Sequence, residues 1–357
     1  MSSMDKLPLL KSAFRMLLNK LNAEDRIAIV VYAGAAGLVL PSTSCDKKDV
    51  ILQALNSLSS GGSTAGGAGI QLAYQVAEEN WIKGGNNRII LATDGDFNVG
   101  ISSSNDLVEM IELKRESGVY LSVLGFGTGN YKDAQMEKLA NHGNGNFNYI
   151  DNMLEAEKVL INEMKGTLVT IAKDVKIQME FNPAVVKEYR LIGFENRMLE
   201  KKDFEDDKKD AGELGAGHSV TALYEIVLFA SSEEGEESST TRYQSTVLNS
   251  KALKADEIGM VHFRYKKPDG GKSILLEQAI ENLPIALEAS SNNFRFSAAV
   301  AEFGLLIKDS EYKKDANYEE LISLATGARA EDPFGYRAEF IRLAEVAQGL
   351  QLVSYED

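Results

Sequence analysis

Three short apolar runs, RIAIVVYA from Arg26, NNRIILATD from Asn86 and VYLSVLGFG from Val119, are separated by stretches whose apolar residues recur every three to four positions. Runs of this length, rich in β-branched residues, read as buried strands, and helical spacing between them makes the connections crossovers of a parallel α/β sheet. GLVLPS reads as the hairpin partner of the first run across AGAA, and DVILQALNSL as a helix. IQLAYQVAEENWI is the helix after GGSTAGGAG, and NDLVEMIELKRESG a helix ended by Gly118. DAQMEKLANHG is a short helix with a glycine stop, NFNYID a strand, and MLEAEKVLINEMKG the closing helix. Residues 1–166 therefore make one doubly wound domain.

The chain opens MSSMDKLPLLKSAFRMLLNKL, in which Leu7, Leu10, Phe14, Leu17, Leu18 and Leu21 share one helical face. Ser3 or Asp5 is placed to cap ahead of Pro8 in the first turn. An amphipathic helix of this kind packs on a sheet, yet no strand stands in front of it.

From Thr167 the apolar period becomes two. Val175, Ile177, Met179 and Phe181 alternate with polar neighbours, and HSVTALYEIVLFA and GMVHFRYKKPDG behave alike, which predicts an antiparallel β-sandwich over 167–283. Two charged stretches inside it, KKDFEDDKKDAGE and SSEEGEESSTTR, read as solvated loops. From Pro284 the period is helical again, with FRFSAAVAEFGLLI, NYEELISLATGA and YRAEFIRLAEVAQGL forming a small helical unit over 284–357 that is placed to dock on the sandwich.

Composition excludes several classes. The chain has 357 residues and is 44% hydrophobic, enough for two or three cores, and its net charge of -15 opposes binding to a phosphate backbone. No run approaches the roughly 18 apolar residues of a membrane span, and as written there is no export signal. Cys45 is the single cysteine, so no internal disulfide forms, and His142, His218 and His262 lie outside any zinc-type spacing.

Two motifs fall at strand ends or helix-entry loops on one rim, where open α/β sheets take ligands. GGSTAGGAG presents Thr64 among glycines; it is either a loop that permits tight entry into the next helix or a cradle for an ion. ATDGDFN ends an apolar strand at Asp94, with Gly95 turning the chain and Asp96 as a turn residue. A carboxylate there needs a cation, water or donor. Hydroxyl and carboxylate oxygens suit Mg2+, Ca2+ or Mn2+, but two protein ligands are too few.

Two enzyme readings compete. Gly125, Gly127 and Gly129 after a strand, with Asp151 about 20 residues on, imitate a dinucleotide fingerprint for an NAD-type oxidoreductase, but Asn130 stands in the third glycine's place. Asp94 and Asp96 could be a phosphatase pair, but no phosphate-holding Lys and Ser or Thr follow at usable spacing. No GxSxG elbow is present. A metal-independent scaffold is the plain alternative.

The strand-end TDG, the GGSTAGGAG loop, the helix KLPLLKSAF and VLGFGTGNYKD together resemble a von Willebrand factor type A domain of the bacterial class that is followed by a β-rich region and a C-terminal domain of unknown function. The likeness continues through EYRLIGFENRML, DDKKDAGELGAGHSVTALYEIV and FRFSAAVAEFGLLIKDS. It implies a non-enzymatic protein-binding module with a metal-ion-dependent adhesion site. Thr64 and Asp94 would be ligands of Mg2+ (or Mn2+ or Ca2+), Ser63 and Gly95 would shape their loops, and a partner's acidic side chain would complete the ion's shell. In the family the first ligand loop is DxSGSM, of which Met1 matches the last residue. The first-loop ligands and the first, central strand are therefore expected upstream of this sequence, metal binding by residues 1–357 is expected to be weak or absent, and the full-length protein is expected at the cell envelope.

Overall fold

The computed structural model describes residues 1, 3–32, 36–61, 66–94, 104–127, 133–163, 170–194, 198–207, 211–229, 238–240, 245–247, 250–268 and 270–354. They form two compact units, Met1–Val175 with Asp210–His218 and Tyr265–Lys272, and Lys176–Lys209 with Ser219–Arg264 and Ser273–Asp357.

The first unit contains α1 (Leu7–Leu18), β1 (Arg26–Val31), β2 (Gly37–Ser44), α2 (Lys48–Ser57), α3 (Gly66–Glu79), β3 (Asn87–Thr93), α4 (Ser104–Glu116), β4 (Val119–Phe126), α5 (Asp133–His142), β5 (Phe147–Ile150) and α6 (Met153–Glu157). β4 lies between β3 and β5 and is parallel to both, with Thr93 opposite Gly125 and Val123 opposite Phe147. Its alternate residues feed two cores. Leu121 and Val123 pack with Ile111, Met136 and Leu139, while Leu124 and Phe126 pack with Leu10, Leu17 and Leu160. A strand covered on both faces reads as an unbroken apolar run, which is why VYLSVLGF carries no alternation. Each fully buried Leu or Ile here contributes about 1.5–3 kcal/mol.

β1 and β2 form the expected hairpin, Val31 opposite Gly37, in a sheet of their own among the described residues. α3 starts at Gly66, inside the glycine run and earlier than the sequence pattern predicts. The start of α1 also differs. Lys6, with no side-chain cap bond, takes the N-cap position assigned to Ser3 or Asp5, and the Met1 and Ser3 carbonyls accept the N–H groups of Leu7 and Lys6 at 3.1 Å each. The closing helix ends in a π-helical turn, Lys158–Asn162.

The remaining strands are β6 (Thr170–Phe181), β7 (Val186–Ile192), β8 (Gly212–Gly215), β9 (Leu223–Leu228), β10 (Ser238–Thr240), β11 (Ser245–Val247), β12 (Glu257–Lys267) and β13 (Gly270–Glu281), with α7 (Ser250–Lys254) between β11 and β12. They form a four-stranded sheet in the order β13-β12-β6-β8 and the pairs β7-β9 and β10-β11. β7 and β13 carry no clean alternation and escape the period-two reading. In β6 that reading needs correction. Lys176 is buried, at 2% exposure, and Ile177 is half exposed. Asp174, with φ +49°, lies in the second of two register shifts of β6 against β8, and such an irregularity re-aims the side chains next to it. Further along, Phe181 packs on Tyr189 and Tyr224 and Glu180 is exposed, as the alternation predicts.

What covers Lys176 is the first charged stretch. Its ammonium donates to the carbonyls of Asp203 at 2.8 Å and Asp206 at 2.5 Å, and Phe204 is buried. Arg264 donates to the Asp207 carboxylate at 2.8 Å and Ser273 bonds the same oxygen. Residues 201–207 are thus a strap bound to the sheet through Phe204, Asp207 and backbone carbonyls, while Lys201, Lys202, Glu205 and Asp206 are exposed as the solvated-loop reading expects. The other charged stretch, SSEEGEESSTTR, lies mostly outside the described residues; Ser238–Thr240 pairs with Ser245–Val247. Next to the strap, His262 lies between Glu277 at 3.0 Å and Glu180 at 3.1 Å.

Three helices close the second unit: α8 (Asn292–Ile307), α9 (Tyr318–Gly327) and α10 (Tyr336–Ser354). Ser291 and Asn317 cap the first two by accepting the N–H groups of Phe294 and Glu320. Phe296 and Phe303 of α8 meet Phe340 of α10 edge to face, with centroids 5.3 and 5.4 Å from Phe340, and Phe303 meets Tyr318 of α9 at 6.2 Å. The segment after α8 contacts β7 and β9. The Arg190 guanidinium lies 3.9 Å from the Tyr312 ring centroid, and Lys314 bonds Glu225 at 2.8 Å. Among the described residues no helix is long and apolar enough to cross a membrane.

Candidate functional site

Asp94 follows the last residue of β3 and so stands at the carboxyl rim of the parallel strands β3, β4 and β5. A side chain at the end of an apolar strand is lifted out of the packed layer but not fully into water, and that of Asp94 is 21% exposed. Three further elements reach it. The turn ahead of α1 brings the Met1 ammonium to 2.6 Å and the Lys6 ammonium to 3.5 Å from Oδ2. Tyr32, one residue beyond β1, donates its hydroxyl to the Ala92 carbonyl at 2.6 Å. Gly127, just past β4, accepts from the Tyr149 hydroxyl at 2.6 Å and lies under the stem of Lys6.

The electrostatics follow from these contacts. Burial raises the Asp94 carboxyl, but the hydrogen bond and charge of the Met1 ammonium, with Lys6 behind it, outweigh burial and hold the carboxyl below its ordinary value. Burial pushes the Tyr32 phenol up to about 12, helped by the Asp94 charge and opposed by a hydrogen bond with Thr93. Thr93 itself is buried, at 2% exposure.

Asp94 is where the sequence places it. Thr64, Ser63 and Gly95 lie outside the described residues, as do Asp96, Gly129 and Asn130. Lys6, Tyr32 and Tyr149 are site neighbours that the motif reading passes over. Lys6 stands inside the KLPLLKSAF element, and its place at the helix start was the available signal. The described donors do not by themselves fit a divalent ion: Asp94 brings one carboxylate, already paired with ammonium groups, and no cluster of three or more His, Cys, Asp or Glu suited to a metal occurs among the described residues. For the dinucleotide reading, the space above Gly127 is filled. A Cβ there would meet Lys6 Cγ and Cε at 2.4 Å.

Comparison with known proteins divides the chain in two. Residues 2–163 match the von Willebrand factor type A domain, and residues 166–350 match the family described as "Uncharacterized protein YfbK, C-terminal". The chain is 46% identical over 356 residues to "Uncharacterized protein YfbK" of Escherichia coli (strain K12), covering 99% of this chain and 60% of that protein. It is 29% identical over 159 residues to "Uncharacterized protein sll0103" of Synechocystis sp., covering 43% of this chain and 36% of that one. The chain thus spans only part of the length of each relative. A solved structure, "von Willebrand factor type A from Catenulispora acidiphila", is similar at 14% identity with a TM-score of 0.46, over 90% of this chain and 75% of that one. In sequence order, then, a match to the von Willebrand factor type A domain, which carries the rim carboxylate, is followed by the YfbK C-terminal domain, and the chain belongs to the family of that C-terminal domain.

Proposed function

We propose that this chain is a non-enzymatic protein-binding module whose partner docks at the carboxyl rim around Asp94. Type A domains commonly mediate metal-dependent protein interactions. The observation that carries the reading is Asp94 itself, a part-buried carboxylate at the rim held by cationic groups. Beside it, Lys11 and Arg15 with Ser12 and Ser60 line a shallow groove that also touches Met1. Cations at that place, in a chain of net charge -15, suit a partner that presents an acidic side chain.

In its metal-dependent form the reading makes Thr64 and Asp94 ligands of Mg2+ (or Mn2+ or Ca2+), with Ser63 and Gly95 shaping their loops. We also infer that one more strand completes the sheet between β1 and β3. β1 pairs with β2 and β3 with β4, each has its other edge without a ladder among the described residues, and Ile29, Ile90 and Ala92 pack on one shared core. Open backbone edges of this kind call for a partner. Residues 167–283 as a sandwich, 284–357 as a helical unit, and an envelope location for the full-length protein belong to the same proposal; the location rests on family resemblance.

Asp94→Ala in the full-length protein tests the binding reading. Partners cross-linked in the native cell and recovered with the wild type should be lost from the variant, and lost from the wild type in EDTA if an ion takes part. A variant that keeps its partners makes the α/β domain a scaffold.

A further inference from the structure

Lys6 is placed against Asp94 by three separate elements. Its backbone is fixed at the start of α1, where its N–H bonds the Ser3 carbonyl at 3.1 Å and its own carbonyl accepts from Leu10 at 2.9 Å. Its stem crosses Gly127 so closely that any Cβ at that position would lie 2.4 Å from Cγ and Cε. Gly127 has φ +84°, and its carbonyl is held by the Tyr149 hydroxyl, so the floor under the lysine is set by β4 and β5. The third element is β3, which leads directly into Asp94.

A lysine at a helix N-terminus works against the helix dipole, which favours anions there. The Lys6 side chain is only 20% exposed, and its ammonium therefore needs a compensating charge. Asp94 supplies it, at 3.5 Å. The Met1 ammonium shares the same oxygen at 2.6 Å, and a short N-terminal extension turns that group into a neutral peptide N–H, so that an extended chain reads the Lys6 pair by itself.

We propose that Lys6 is the resident cation of Asp94, an ammonium built into the fold that takes the place of a metal ion at the rim carboxylate and competes with any ion brought to it. The competition rests on the rim reading above; the pairing itself does not. The rim carboxylate is thereby neutral overall without metal, and an ion has to displace Lys6 to use it. Affinity for a divalent cation is set by how tightly Lys6 holds as well as by the ligands.

The test uses the 357-residue chain with a short N-terminal extension, as wild type, Lys6→Met, Lys6→Arg, Asp94→Asn and the double variant Lys6→Met with Asp94→Asn. Melting in EDTA reads the pairing. Lys6→Met should lower Tm by about 2–4 °C when the Asp94 carboxylate is present and by nothing when it is combined with Asp94→Asn, and Lys6→Arg should keep most of the wild-type value. Calorimetric titration with MnCl2 reads the competition, and Lys6→Met should bind at least about tenfold tighter than wild type, a gain of about 1.4 kcal/mol that Asp94→Asn removes. The pairing in EDTA with no Mn2+ bound by any variant upholds Lys6 as the cation of this carboxylate and defeats the metal-dependent reading. Equal Mn2+ affinity in wild type and Lys6→Met overturns the proposal and leaves that reading intact. Equal effects of Lys6→Met with and without the Asp94 carboxylate also overturn it. If Lys6→Met does not fold, Lys6→Gln takes its place in the same cycle.

Discussion

The Tyr32 hydroxyl donates to the Ala92 carbonyl across 60 residues of sequence, at 2.6 Å. It joins the end of β1 to the end of β3, two strands that share no ladder among the described residues. Tyr32→Phe removes that donor from the Ala92 carbonyl, at a cost of about 0.5–1.5 kcal/mol, to be read as a lower urea midpoint with unchanged slope. The phenol also carries a pH signature. Its folded value is raised from 10.0 to about 12, so the folded state favours the protonated form. That contribution is complete below pH 10 and is lost as pH rises from 10 to 12. Ultraviolet phenolate titration should show one late tyrosine more in the folded wild type than in Tyr32→Phe, which keeps the phenols of Tyr74 and Tyr224 that burial also raises.

Gly127 combines a positive φ with a close contact to the Lys6 stem. Gly127→Ala should destabilise by more than about 1 kcal/mol from the backbone strain alone, with a further loss from the collision with Lys6. Shortening the lysine as well, in Gly127→Ala with Lys6→Ala, should recover the collision and not the strain. Thermal melts of the two variants separate the parts.

Lys176 is a buried ammonium whose described partners are backbone carbonyls. Lys176→Met keeps the stem and deletes the charge, leaving the Asp203 and Asp206 carbonyls without their donor. The expected loss is about 1.5–3 kcal/mol. The strap should loosen before the domain does, so limited trypsin should cut after the exposed Lys201 and Lys202 several times faster than in the wild type.

Arg190 holds the Tyr312 ring on one side and the Glu225 carboxylate on the other. Two acceptors make it a rivet between β7-β9 and the turn that follows α8. Arg190→Ala with Tyr312→Leu in a double-mutant cycle should give a coupling of about 0.5–2 kcal/mol. Arg190→Lys should recover less than half of it, because a point charge lacks the flat face.

Much of the first unit was legible because its signals are local. VYLSVLGF reads as a strand covered on both faces, and Gly118 and Gly143 close helices as glycines do. The hairpin of β1 and β2 follows from two apolar runs and a short small-residue link. β6 was legible as a strand but not in the facing of Lys176 and Ile177, which follow the register shift at Asp174. KKDFEDDKKDAGE was legible in part: Lys201, Lys202 and Glu205 face water as their charges suggest, while backbone carbonyls and Phe204 bind the sheet. At the rim, Asp94 stood out as a carboxylate at the end of an apolar strand. Lys6 did not, because a lysine before a helix looks like any surface lysine until the helix is set against β4.

The strap has a consequence for the order in which the chain is made. Lys176 finds its carbonyls 27 and 30 residues downstream, whereas the Asp207 carboxylate waits for Arg264, 57 residues further on. Closing the shorter loop costs less entropy and needs less of the chain. During synthesis the turn at Lys201–Asp203 can therefore settle on β6 before β12 has left the ribosome. β12 then arrives at a strand whose polar face is already covered, and His262 and Arg264 have a fixed place to land.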